Sequence, residues 1–324
     1  MQIFKLYIII FVICSHFSIV RATSSNYSES RHKAFVYKML DLGVSNTINT
    51  CYNSEQIPFR YEANLNMPVC DDKLCANVYL KVYWDLAGNY ICFDTIAGKP
   101  LTKFDHNPFT QADYKKLDQI LNDRNSILRV LDKDELVDKS IKLKSTAVDA
   151  VTGATPATIK NEVVEGAVYS AYSLWHFVNG SVKDSIKHYT LQIYSDKIAE
   201  QMLHSSNFET QLFALKNLDN SFFDANTTLI FDIIKKSNPL VRAFIINKIS
   251  TPFSNQDKNK VYAQLYSALD SYSKSIFCDK IVSSKVLAVV FIPLMIRIYQ
   301  IKDEVITKKM QQAAIKYNLP GNAF

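Results

Sequence analysis

The chain has 324 residues, 48% of them apolar and 21% charged, with 18 tyrosines and 19 phenylalanines. That composition excludes disorder over most of the length and is enough for two ordinary domains, each with its own core. The 37 basic and 31 acidic residues leave a net charge of +6 with no dense Lys/Arg cluster, so nucleic acid is not an expected partner.

Residues 1–22 read as a secretory signal peptide. Lys5 gives a positive start, Leu6 to Ile13 is an unbroken apolar run, and Val20 and Ala22 are small residues at the −3 and −1 positions of a cleavage site. The run is too short to span a bilayer. Retention as an uncleaved anchor is the alternative. Cleavage removes Lys5, Arg21 and no acid, so the charge falls from +6 to +4. The expected location is the periplasm or envelope of a bacterium.

Five cysteines remain after cleavage: Cys51, Cys70, Cys75, Cys92 and Cys278. Export permits disulfides, and the odd count leaves at least one thiol unpaired. Cys70 and Cys75 bracket a four-residue stretch and can close a small loop, with Cys51 as the main competitor for either. Cys278 stands in an apolar helical stretch and reads as a buried small residue. No nearby histidine completes a zinc set, so no metal site is expected.

A short helix is expected over 32–42, ended by Gly43. Residues 45–75, with Pro58 and Pro68, read as irregular. From Asn77 to Asp85, Val78, Leu80, Val82 and Trp84 alternate with Tyr79, Lys81 and Tyr83, which predicts a strand buried on one face. Leu86–Asn89 supplies a turn and Tyr90–Ile96 the return strand of a hairpin. Thr110 caps a helix reaching Leu121, with Asp113 three residues on. Leu143–Val151 reads as extended. Pro156 is suited to a first helical position, so a helix is expected from there to Val178, stopped by Gly180.

Beyond residue 190, helices follow one another. "FALKNL" (213–218), "FIINKI" (244–249) and "IFCDKI" (276–281) share a pattern at spacings of 31 and 32 residues. A helix–turn–helix unit in about three copies, of the HEAT-like kind, is the reading, with Phe213, Phe244 and Ile276 in equivalent buried positions. The fold class expected is therefore α+β over 23–190, followed by an all-α HEAT-like array over 191–324.

No Ser-His-Asp order, phosphate loop or dinucleotide fingerprint is present, and no catalytic residue is assigned. Asp105, His106 and the Asp132–Glu135 run read as loop and cap residues. His176 and Trp175 read as packing residues, His176 with one satisfied hydrogen bond.

One stretch stands apart. Asp149-Ala-Val-Thr152-Gly153-Ala154-Thr155 occurs in a chain with only seven glycines. A helix cap explains Thr155 and Pro156 but gives Asp149 and Thr152 no role. The stretch resembles the flavinylation motif D-[G/A]-x-[S/T]-G-A-T. That motif belongs to the FMN-binding domain family of sodium-pumping quinone oxidoreductases, Rnf-type complexes and other bacterial extracytoplasmic redox proteins. Every specified position is met. The hairpin "LKVYWDLAGNYICFDTI" is similar to the strand–D-x-x-G–strand that opens that domain, and His106 corresponds to a histidine-bearing loop. Residues 163–180 are similar to exported proteins of Bacteroidetes type, in which such a segment leads to helical repeats.

The resemblance implies FMN held on Thr155 through a phosphoester bond, added by a flavin transferase that recognises Asp149, Thr152, Gly153 and Ala154. It implies electron transfer, with the helical part docking a membrane or envelope redox protein. The phosphodiester would gain from the N-terminus of the following helix. The competing reading is a non-enzymatic envelope scaffold without flavin, since the family's flavin-loop glycines are not evident in 97–110.

Overall fold

The computed structural model describes residues 29–39, 43–69, 76–103, 106–136, 159–299 and 303–319. The chain divides between Tyr194 and Ser195 into two compact units. The first is an α+β unit and the second is entirely helical.

The first unit is built on a five-stranded antiparallel meander in the order β1 (Ser30–Met39), β2 (Val44–Tyr52), β3 (Pro58–Met67), β4 (Val78–Trp84) and β5 (Tyr90–Thr95). The β4–β5 hairpin follows the sequence expectation. The helix expected over 32–42 and the irregular region expected over 45–75 do not: they hold β1, β2 and β3. Gly43 takes a left-handed φ of 63° in the link between β1 and β2. Arg31 stands opposite Cys51, Glu62 opposite Tyr83, and Lys81 opposite Asp94.

Alternation gives the sheet two different faces. One carries Ile48, Tyr61, Ala63, Leu65, Leu80, Val82 and Trp84, all essentially without exposure. Among the described residues this unit carries three α-helices: α1 (Gln111–Asn122), α2 (Val168–Asn179) and α3 (Val182–Gln192). Trp84 Nε1 donates to the Val178 carbonyl at 3.0 Å, and Phe177 lies against the Trp84 ring. Tyr61 and Thr190 share a 2.8 Å hydrogen bond, and Thr190 donates to the Leu86 carbonyl at 2.8 Å. The Trp84 indole and the Tyr61 hydroxyl of this face are thus tied to partners on α2 and α3. α1 has the full capping box expected from Thr110 and Asp113.

The second unit carries α4 (Asp196–Leu203), α5 (Phe208–Lys216), α6 (Asn220–Ala225), α7 (Thr227–Lys236), α8 (Pro239–Lys248), α9 (Gln256–Gln264), α10 (Ser271–Ser283), α11 (Lys285–Ile298) and α12 (Glu304–Tyr317). The N-caps of α5, α8, α10 and α12 are Asn207, Asn238, Asp270 and Asp303, at spacings of 31, 32 and 33 residues. After each of these four caps the third, seventh and eleventh residues are buried. They are Thr210, Ala214 and Leu218; Val241, Ile245 and Ile249; Ser273, Phe277 and Ile281; and Ile306, Met310 and Ala314. α8 packs on both α5 and α10, and α10 packs on α12. The helices before each of these, α4, α7, α9 and α11, complete four helix pairs. The sequence reading found three, because "KMQQAA" in α12 does not look like the others. Phe213, Phe244 and Ile276 do hold equivalent positions, each six residues after its cap, but all three are half-buried.

Tyr262 on α9 anchors the array. Its ring lies 5.8 Å from Phe231, 5.5 Å from Phe253, 4.8 Å from Phe277 and 5.2 Å from Phe291, which join three successive pairs.

Candidate functional site

Asp149, Thr152, Gly153, Ala154 and Thr155 lie outside the described residues, as does the stretch expected to be extended over 143–151. Their downstream flank is described, and it changes one expectation. No helix runs from Pro156 to Val178. Lys160–Glu162 form a single 3-10 turn, Gly166 takes a φ of 76°, and α2 starts at Val168 with Ala167 as its N-cap. The left-handed Gly166 breaks any helix arriving from upstream. Val163, Val164 and Ala167 are still buried, so their apolar pattern resembles a helix face without being one. The flank is firmly held: Ser126 Oγ donates to the Glu162 carboxylate at 2.6 Å, and Ser126 is buried.

Trp175 and His176 are packing residues, as expected. Trp175 Nε1 donates to the Asp123 carbonyl at 2.8 Å, and His176 Nε2 meets the Leu128 carbonyl at 2.9 Å. A carbonyl can only accept, so Nε2 carries the proton. Asn179 Nδ2 reaches the Leu121 carbonyl at 3.0 Å. Trp175 and Asn179 thus satisfy carbonyls at the end of α1, and His176 one in the 3-10 turn that follows it.

The D-x-x-G of the hairpin also has a structural role. Asp85 accepts from the backbone N–H groups of Ala87 and Asn89, both at 2.8 Å. Gly88 takes a φ of 73°, and a Cβ there would lie 2.7 Å from the Lys183 carbonyl oxygen. His106 is exposed, with a φ of 56°.

A polar cluster that sequence reasoning missed lies on the second face of the sheet. Glu62 is 3% exposed. Its carboxylate meets Arg31 Nε at 3.0 Å and Lys81 Nζ at 2.9 Å. Glu29 pairs with Arg60 at 2.8 Å and with Arg31 at 3.2 Å. The Arg60 guanidinium lies 4.5 Å from the Tyr83 ring centroid, and Tyr83 donates to Asp94 at 2.6 Å. Cys51 is fully buried among these groups. The signal was there in Arg60-x-Glu62 and Lys81-x-Tyr83, which put charge on one face at a period of two. It was unreadable while 45–75 read as irregular.

The electrostatics make this cluster a structural network. Burial alone would raise the Glu62 carboxyl, but Lys81, Cys51 and Arg31 outweigh it and hold the group below its ordinary range. Glu62 therefore stays ionised and has no proton to give at neutral pH. Burial and the Glu62 charge push the Cys51 thiol up to about 11, so it is neither a nucleophile nor a ready metal ligand. Cys51 and Cys278 are both free thiols. Cys51 is therefore not the partner of Cys70 or Cys75, contrary to the expectation that made it their main competitor. Among the described residues no group of His, Cys, Asp or Glu is placed to hold a metal ion.

No protein-family model, curated protein or solved structure matches the chain.

Proposed function

We propose that the protein is an exported bacterial redox carrier that holds FMN covalently on Thr155. The observation that carries this reading is the stretch Asp149–Thr155, which meets every specified position of the flavinylation motif. A helix cap would need only Thr155 and Pro156. The flavin would supply reversible electron uptake, and the chain would supply attachment and surroundings. Asp149, Thr152, Gly153 and Ala154 would present the Thr155 hydroxyl to a flavin transferase.

The described flank fits this role in one respect and not in another. Ile159, Val163 and Val164 are buried, so the chain is moored four residues past Thr155. However, α2 begins thirteen residues past Thr155, so Thr155 is not the residue that caps it. The hairpin glycine and aspartate are accounted for by their turn, so they add no support for a flavin.

A second reading rests on a different observation. The four capped helix pairs, α4–α5, α7–α8, α9–α10 and α11–α12, support a HEAT-like array, and such arrays present extended docking surfaces. On that reading the protein is an envelope scaffold without flavin. On the first, the array docks a membrane or envelope redox protein.

Coexpression with a flavin transferase separates the two. The flavin reading expects one FMN-phosphoryl adduct on the peptide containing Thr155. Thr155→Ala abolishes it, Thr155→Ser keeps part of it, and Thr152→Ala lowers the yield. Absence of any adduct with an active transferase supports the scaffold.

A further inference from the structure

α11 is apolar on every side. Leu287, Ala288, Phe291, Ile292 and Met295 are buried, and α9, α10 and α12 pack on this helix. The other side carries Val286, Val289, Val290, Pro293 and Leu294, at i, i+3, i+4, i+7 and i+8, which is one stripe of a helix. Val286 is 56% and Val289 47% exposed. Exposed Lys285 and Arg297 bracket the stripe. On the adjoining α12, Val305 and Ile315 are exposed at 65% and 78%, with exposed Lys308 and Lys316 along the helix and exposed Asp303 and Glu304 confined to its start. α11 belongs to the last of the described helix pairs, and repeat arrays normally keep such outer faces polar.

We propose that this end of the array seats on the surface of a bilayer carrying anionic phospholipid. The charge pattern selects that occupant over a second copy. Antiparallel pairing of two stripes would set Lys285 against Arg297 of the other copy, and parallel pairing would set each base against itself. Both arrangements place like charges together. An anionic surface attracts all four bases and accepts the valines between them. No helix among the described residues is long and apolar enough to cross a membrane. The 14 residues of α11 reach only about 21 Å against a hydrocarbon core of about 30 Å, so α11 lies on the surface. The inference does not depend on the flavin.

Sedimentation of the mature protein with vesicles tests it. Phosphatidylcholine vesicles are compared with vesicles containing about 30% phosphatidylglycerol, at low and high salt. The protein is expected to sediment with the anionic vesicles and to be released by salt. Val286→Asp with Val289→Asp is expected to weaken binding by about tenfold or more. Lys285→Gln with Arg297→Gln, which leaves the apolar stripe intact, is expected to weaken it several-fold. Equal binding by wild type and both variants overturns the proposal. So does absence of vesicle binding, whether the protein is then a monomer or a dimer that Val289→Asp dissociates. Saturable binding of an acidic amphipathic helical peptide at that stripe, without vesicle binding, also overturns it.

Discussion

Glu62 owes its ionised state to its neighbours, and this has a consequence for stability. Its folded pKa is held below the unfolded value, so its contribution is complete above the unfolded carboxylate range near pH 4 and is lost as pH falls through the folded value. Glu62→Gln keeps the shape but removes the charge that Arg31 and Lys81 face. We expect a loss of about 1–3 kcal/mol at pH 7, closing as the pH is lowered below about 4. Denaturant titrations of both proteins across pH measure this. A difference independent of pH would mean that packing, and not charge, is what Glu62 supplies. Thiol chemistry is set at the same scale. Cys51 and Cys278 are buried and free, so alkylation should reach them only after unfolding. The disulfide expected of an exported chain then falls among Cys70, Cys75 and Cys92. Non-reducing peptide mapping should find Cys51 and Cys278 in no cross-linked peptide.

Elements differ in how far the sequence announced them, and the reasons are physical. The β4–β5 hairpin was legible because one face is apolar and the other polar at a strict period of two. α1 was legible because its caps are in the sequence. β1 was not: Ser30–Met39 is exposed or half-buried along its whole length and has a bulge between Lys33 and Phe35, so alternation is lost. β2 and β3 put Cys51 and Glu62 on a face where burial is stabilised by ion pairs, and a search for apolar periodicity passes over such strands. The start of α2 was misplaced because Val163, Val164 and Ala167 are buried at helical spacing in a segment that Gly166 keeps out of a helix. The candidate site was legible only as a motif, since nothing in Asp149–Thr155 marks its own surroundings. Two substitutions test the local accounts. Gly88→Ala must place a side chain at positive φ and against the Lys183 carbonyl, and is expected to cost about 2 kcal/mol or more. Asn259→Ala removes the side chain that accepts from the Phe253 N–H and donates to the Phe253 carbonyl, both at 2.9 Å. Two buried backbone groups lose their partner, for an expected cost of about 2–4 kcal/mol. Thermal or denaturant melts read both, and a neutral result at either position contradicts the corresponding account.

At the scale of the molecule, the chain consists of two units with separate cores. The helical unit is held by repetition: four helices capped by Asn or Asp with the same buried positions after the cap, and an aromatic cluster around Tyr262 that links three of the four pairs. Residues 195–324 are therefore expected to fold alone, giving a helical circular-dichroism spectrum and a cooperative melt. A fragment without a cooperative transition would show that the array depends on the first unit. The proposed function rests on the other unit and on one hydroxyl. The most direct test is the intact mass of the mature protein purified from its own host, with the Thr155 peptide then sequenced. The account predicts a chain beginning at Thr23 that carries one FMN-phosphoryl group on Thr155. An unmodified Thr155, in a host with a competent flavin transferase, would contradict it.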